Sequence, residues 1–162
     1  MFYERILKGL QQYKVRYLIV GGLAVNLHGY DRITADLDII LSMTDTNIKK
    51  FVIVAKKLNM KPRIPVPIED FAVKSLRREW IKEKNMKAFL ISNPENAAEH
   101  LDVIIEHPIN FTKAYRRRIK INAGNLRMPL IGIDDLIRMK TFAGRQKDLI
   151  DIEALKRIKE LK

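Results

Sequence analysis

Two short runs early in the chain have the residue types and the spacing for phosphate and metal chemistry. Gly21-Gly22 closes an apolar run, and after thirteen intervening residues comes Asp36-Leu37-Asp38-Ile39. Residues two apart in a strand face the same way, so a strand from Asp36 to Leu41 projects both carboxylates together. Like charges this close repel, and burial raises the cost unless a cation or a proton intervenes. A divalent ion relieves the conflict. Mg²⁺ takes one or two hard carboxylate oxygens and completes its octahedron with phosphate oxygens and water. The glycines supply the complementary half: their bare N–H groups can approach a phosphate, and a helix that follows a Gly-Gly turn adds its positive end.

A third carboxylate repeats the pattern. In His100-Leu101-Asp102-Val103-Ile104-Ile105, an acidic residue again stands where an apolar run begins, on one face with His100 and Ile104. If the two strands are neighbours, Asp36, Asp38 and Asp102 converge. Two of them suffice to hold metal, and the third can deprotonate an acceptor hydroxyl, as in two-metal phosphoryl transfer. Taken alone, Asp102 reads as a strand-end carboxylate satisfied by a lysine or by backbone N–H groups; beside the first motif it reads as a member of the site. Lys140 lies on the apolar stripe of Leu136 and Ala143, where a lysine must find an anion or reach outward. A triphosphate contact and a salt bridge to a nearby aspartate are both open. Arg145 and Asp148 can pair at i, i+3. Arg32 and Thr34 stand just ahead of the metal strand, within reach of phosphates. His28, His100 and His107 lack the short spacing of a histidine metal site.

These residues need elements to position them. Phe2, Ile6, Leu10 and Tyr13 mark an amphipathic first helix. Val15–Val20 reads as a strand, residues 23–28 as a short helix closed by Gly29, and Asp36–Leu41 as a buried strand. Thr44-Asp45 caps a helix running to about Leu58. Three prolines between Pro62 and Pro67 exclude regular structure, and the charged stretch Glu69–Lys84 reads as a helix. Ala88–Ile91, His100–Ile105 and Ile119–Ile121 read as strands. Two helices close the chain, parted by Gly144. The pattern is α+β in one layered domain over 1–162, with a core to about 132 and a C-terminal helical segment from about 133 to 162.

Composition narrows the class. The 162 residues are 47% hydrophobic, enough for a core, and hold no run of the roughly 20 apolar residues that a membrane span requires. Met1-Phe2-Tyr3-Glu4-Arg5 lacks the basic-then-apolar order of a secretory leader. With no cysteine there are no disulfides or thiolate sites, which fits a cytoplasmic protein. Thirty-one Lys and Arg against nineteen Asp and Glu give a net charge of +12, a surface that attracts polyanions. Arg116-Arg117-Arg118, Arg77-Arg78 and Lys49-Lys50 are basic clusters. Tyr115 and Trp80 adjoin two of them, as stacking on a nucleic acid would use.

Val20-Gly21-Gly22, then Asp36-Leu37-Asp38-Ile39, then a distant Asp102 resemble the DNA polymerase β-type nucleotidyltransferase superfamily. The longer run from Gly21 to Ile39, and the tail with Lys140, Arg145, Lys147, Asp148 and Asp151, resemble its small prokaryotic branch, which includes toxin-like abortive-infection members. The resemblance covers about 15–41, 100–106 and 133–155. It implies a short mixed sheet flanked by helices and a transfer of a nucleoside monophosphate from an NTP to a hydroxyl of tRNA, protein or a small molecule. Asp36, Asp38 and Asp102 would then be catalytic and would hold two Mg²⁺ ions, while Gly21, Gly22, Arg32, Thr34 and Lys140 would contact the nucleotide. A small antitoxin-like partner would fit the toxin-like branch. Many members carry Gly-Ser where this chain has Gly21-Gly22, which leaves backbone donors or nearby basic residues to hold phosphate. The alternatives are a non-catalytic basic module that binds nucleic acid or protein, and a nucleotide-binding regulator.

Overall fold

The computed structural model of the protein describes residues 3–162. Its elements run α1 (Glu4–Gln12), β1 (Tyr17–Val20), α2 (Gly21–His28), β2 (Asp38–Leu41), α3 (Asp45–Lys57), β3 (Lys61–Pro62), α4 (Lys74–Glu83), β4 (Ala88–Asn93), β5 (Asn96–Ile104), α5 (Phe111–Arg116), β6 (Ile119–Ala123), β7 (Leu126–Leu130), α6 (Ile133–Ala143) and α7 (Gln146–Glu160). Among the described residues the strands form one mixed sheet in the order β3-β4-β5-β2-β1-β7-β6. Helices flank it, in line with the α+β reading. The stripe residue Phe2 lies outside the described residues.

The centre of the sheet is the apolar pair β1 and β2, antiparallel, with Tyr17 opposite Leu41 and Val20 opposite Asp38. Ile19, Ile39 and Ile40 are fully buried, as expected of strands covered on both faces. On its other edge β2 runs parallel to β5, and there Asp38 is the direct neighbour of Asp102. The two strands that could bring the carboxylates together are adjacent.

Several elements depart from the sequence reading. Asp36 does not begin β2. It precedes the strand in irregular chain, because β1 ends at Val20 and offers no partner beyond Asp38. The glycines are not a turn ahead of a helix but the first two residues of α2 itself. Glu69–Lys84 is divided into a 3-10 turn at Ile68–Ala72 and α4, because Val73 between them is extended. Pro62 joins the edge strand β3, opposite Ile91, where a missing N–H is tolerated. Beyond Ile119–Ile121 the strand extends to Ala123 and turns at Gly124, with φ 61°, into β7. Pro129 hides β7 in the sequence, yet this strand runs parallel to β1, with Leu130 beside Ile19.

One buried polar residue fixes the register that the site needs. Thr44 caps α3 by accepting from Asn47 N. Asn47 then bridges the ends of both central strands: its Oδ1 accepts from Arg16 N at 2.8 Å, while its Nδ2 donates to Arg16 O at 2.9 Å and Ser42 O at 2.8 Å. These bonds hold the Arg16 end of β1 against the Ser42 end of β2, four residues from Val20 and Asp38. Asn47→Ala deletes all three and strands a backbone donor, so it should cost about 2–4 kcal/mol of unfolding free energy in urea titration.

Candidate active site

The site begins where β1 turns directly into α2. Gly21 has φ 69°, in the left-handed region, and a Cβ there would stand 2.1 Å from Asp38 Oδ2. The carboxylate occupies the space of a side chain, so the position requires glycine. A Cβ on Gly22 would meet Thr34 Oγ1 at 2.8 Å and a terminal nitrogen of Arg32 at 3.3 Å. Thr34 therefore puts its hydroxyl where a side chain following Gly21 would put its own. The strand–glycine–helix junction thus touches both the acidic and the hydroxyl-bearing walls of the cleft.

The acidic wall is strained electrostatically. Asp38 and Asp102 share a face of adjacent parallel strands and are partly buried. Burial first, and then the charges of Asp102 and Asp36, push the Asp38 carboxyl up to about 7. Asp102 is also raised, chiefly by burial and by Asp36. Asp36, free of the strand, turns to His100, whose Nε2 lies 2.9 Å from Asp36 Oδ1. That hydrogen bond is the main reason the His100 imidazole is raised above its ordinary value. Among the described residues no group of three or more His, Cys, Asp or Glu side chains is drawn together closely enough to hold a metal ion. Asp38 and Asp102 stand side by side, and Asp36 borders the same cleft with its carboxylate hydrogen-bonded to His100.

The opposite wall is cationic and braced from behind. Lys140 is buried and lies 2.8 Å from Asp151 Oδ2 and 3.3 Å from Asp148 Oδ1. Arg32 donates to Asp151 Oδ2 at 2.7 Å. Arg145 donates to Asp148 through Nε at 2.8 Å and through its backbone N at 3.1 Å. Five charges alternate along Arg32–Asp151–Lys140–Asp148–Arg145. Burial alone would raise Asp148, but the Arg145 hydrogen bonds and Lys140 outweigh it and hold this carboxyl below its ordinary value. Asp148 and Asp151 belong to α7, and the Arg145–Asp148 pair expected at i, i+3 is present there. A buried carboxylate at i, i+3 on an apolar helix face was the available signal.

Both walls border one cleft of about 440 Å³, and Asp36, Asp38, Asp102, Gly21, Gly22, Arg32, Thr34 and Lys140 all line it. Lys87, Glu106 and Phe142 line it too, and nothing in their local sequence pointed there. His28 is not among them: it is interior, with Nε2 2.7 Å from Ile131 O. An acidic face and a cationic face thus meet the glycine backbone in one cleft.

Residues 3–162 match the model of a family described as nucleotidyltransferases of unknown function (DUF6036). The chain belongs to this nucleotidyltransferase family. No curated protein matches its sequence. Among solved structures, the lincomycin-bound lincosamide antibiotic adenylyltransferase LnuA superposes with a TM-score of 0.60 at 18% identity, over 97% of this chain and 96% of that one. The antibiotic-resistance factor ANT(2'')-Ia, in a complex with adenylyl-2"-tobramycin, gives 0.56 at 12% identity, over 97% and 90%. A nucleotidyltransferase-like protein from Paracoccidioides brasiliensis gives 0.51 at 16%, over 93% and 71%. The mixed sheet with its flanking helices is thus the nucleotidyltransferase fold. Among the described residues, no helix is long and apolar enough to cross a membrane.

The raised Asp38 has a measurable consequence. Between about pH 4 and pH 7 the folded state binds a proton that the unfolded state has released, so this group's stabilising effect is lost as pH rises through that window. Asp38→Asn removes the penalty. Its melting temperature should match the wild type near pH 4 and exceed it at pH 7.5, read by circular dichroism across the range. A difference that stays flat with pH would show that folding does not raise the Asp38 carboxyl.

Proposed function

We propose that this nucleotidyltransferase moves a nucleoside monophosphate from an NTP to a hydroxyl of a small molecule. The observation that carries the reading is the opposition of the Asp38–Asp102 pair to the Arg32–Lys140–Arg145 row across a single cleft. The donor set fits Mg²⁺, since two hard carboxylates with an unrelieved repulsion are what one dication and its phosphate partner neutralise. Asp38 and Asp102, with Asp36 released from His100, would hold the metal, which when bound supplies charge stabilisation for the transferring phosphoryl group.

The chain's own residues do the rest. The α2 N-terminus at Gly21-Gly22 faces the phosphates, and the Thr34 hydroxyl stands in for the serine that many relatives carry after the first glycine. Arg32, Lys140 and Arg145 offset the charge of the triphosphate and of departing pyrophosphate. Asp102 takes the proton of the acceptor hydroxyl, whose oxygen forms a bond to the α-phosphorus as the bond to the β-phosphate oxygen breaks. The small-molecule acceptor is favoured because structural neighbours spanning nearly the same length are antibiotic adenylyltransferases.

The test is transfer of label from each α-³²P-NTP, with Mg²⁺, to a panel of hydroxyl-bearing small molecules that includes lincosamides and aminoglycosides, with tRNA and total protein as parallel arms. Labelled small molecules are expected, with Asp38→Ala and Asp102→Ala lowering the rate about a thousandfold or more. Label appearing only on tRNA or protein would overturn the acceptor class. No transfer to any arm, with NTP still bound, would make the chain a nucleotide-binding regulator.

Two substitutions separate the hydroxyl's role from the metal's. Thr34→Val keeps the shape and removes the donor, so KM for NTP should rise about tenfold with kcat little changed. Gly22→Ser alone should be harmful, because its Cβ collides with Thr34, whereas Gly22→Ser with Thr34→Ala should recover much of the loss. A Thr34→Val enzyme with unchanged KM would rule out the phosphate role.

A further inference from the structure

At the far end of β1 from the active site lies a second concavity, of about 600 Å³, that shares no lining residue with the catalytic cleft. It is bordered by the α1–β1 connection, the end of α5 and one face of the β6–β7 hairpin. Lys14, Arg16, Arg118, Lys120 and Arg127 line it, no acidic side chain does, and among the described residues none of the five forms an ion pair. The catalytic cleft sets carboxylates against cations; this groove has cations alone. Much of the chain's unbalanced charge is concentrated here, and a concave patch of one sign is a binding surface for the opposite one.

The groove is also built rather than merely charged. Tyr115 packs on Phe111 with ring centroids 5.3 Å apart. The Arg118 guanidinium stacks on the Tyr115 ring at 3.9 Å and also donates to Tyr115 O at 2.6 Å, and Arg16 approaches the same ring at 5.9 Å. Stacking and the hydrogen bond fix the Arg118 fork and leave its remaining N–H donors free. On the hairpin, Lys120 and Asn122 share a face of β6, and Arg127 lies opposite Asn122. Lys120 and Arg127 are then diagonal neighbours with Cα atoms about 7–8 Å apart, a spacing suited to successive phosphates of an extended strand. Beneath them Tyr17 lines the groove with its phenol buried and, among the described residues, without a hydrogen-bond partner.

We propose that this groove binds the sugar–phosphate backbone of single-stranded RNA. Five unpaired cations answer phosphates, while the exposed amide of Asn122 beside Lys120 can read a sugar hydroxyl, which phosphate binding alone does not employ. An acidic protein partner fits less well. None of the exposed large apolar side chains lines the groove, so a protein partner would have to be held by charge alone, whereas the spacing of Lys120 and Arg127 also suits a phosphate backbone. The proposal is independent of the acceptor assigned to the catalytic cleft, which lies at the other end of the strand.

The experiment is fluorescence anisotropy of a labelled, unstructured 12-nucleotide RNA titrated with the full chain at several salt concentrations. With five phosphate contacts, the slope of log K against log salt should be about −3.5. Lys120→Gln with Arg127→Gln should weaken binding about tenfold or more and make the slope shallower by about 1.4, with melting temperature and nucleotidyl transfer unchanged. Lys49→Gln with Lys156→Gln removes the same charge from exposed helix positions outside the groove and should leave binding unaffected. Equal loss in both double variants would reduce the effect to net charge and overturn the proposal. So would binding that survives the groove substitutions, DNA of the same sequence binding as tightly, or poly-glutamate in place of RNA being the polymer whose binding those substitutions weaken.

Discussion

The structure is organised around an unfavourable contact: two aspartates held side by side on adjacent parallel strands and partly removed from water. Nothing in the backbone register allows Asp38 and Asp102 to separate, because β2 is fixed between β1 and β5. The fold accepts this repulsion and surrounds it with compensation. Lys140 and Arg145 lie close enough that Lys140 draws the Asp38 carboxyl down and Asp38 in turn favours the charged Arg145. They cannot simply collapse onto the aspartates, because α7 presents Asp148 and Asp151 as their own partners. The cations are thereby kept as the opposite wall of a cleft instead of neutralising the first.

That division explains why the C-terminal helices are tied to the site. α6 carries Lys140 to the cleft, α7 supplies its buried carboxylates, and the Arg32–Asp151 bond fastens the loop before β2 to α7. An uncompensated lysine at such a depth would be costly, and so would two buried aspartates without it. Breaking one member strands the others. Asn47 plays the corresponding part at the opposite end of the central strands, with hydrogen bonds in place of charges.

The two ends of β1 therefore differ in character. At Val20 the strand delivers the chain to glycine backbone and to carboxylates opposed by cations. At Tyr17 it borders a concavity where positive charge stands unopposed. Each end is defined by side chains from distant parts of the sequence, brought together by the insertion of β7 between β1 and β6 and of β2 between β1 and β5.

Much of the chemistry was legible from local pattern. Gly21-Gly22 and Asp38 stand at strand ends beside apolar residues, a signal that depends only on period two and on the limits of each run, whereas Asp102 lies inside β5, which begins six residues earlier at Asn96. The helix capped by Thr44 and the two final helices parted by Gly144 were readable for the same reason: a cap, a stripe and a breaker are all local. Other features lay beyond reach. Asp36 looks like a strand residue until one knows that β1 stops at Val20. β7 carries Pro129, which argues against a strand until its partners are known. Thr34 acquires its place beside Gly22, and Lys140 its two aspartates, only through contacts across long stretches of chain. The sequence by itself determined which residues stand at the mouths of apolar runs and carry charge there. The tertiary structure alone decided which of them stand face to face, because side-chain opposition is set by strand order and helix docking, and neither is written in the spacing of residues.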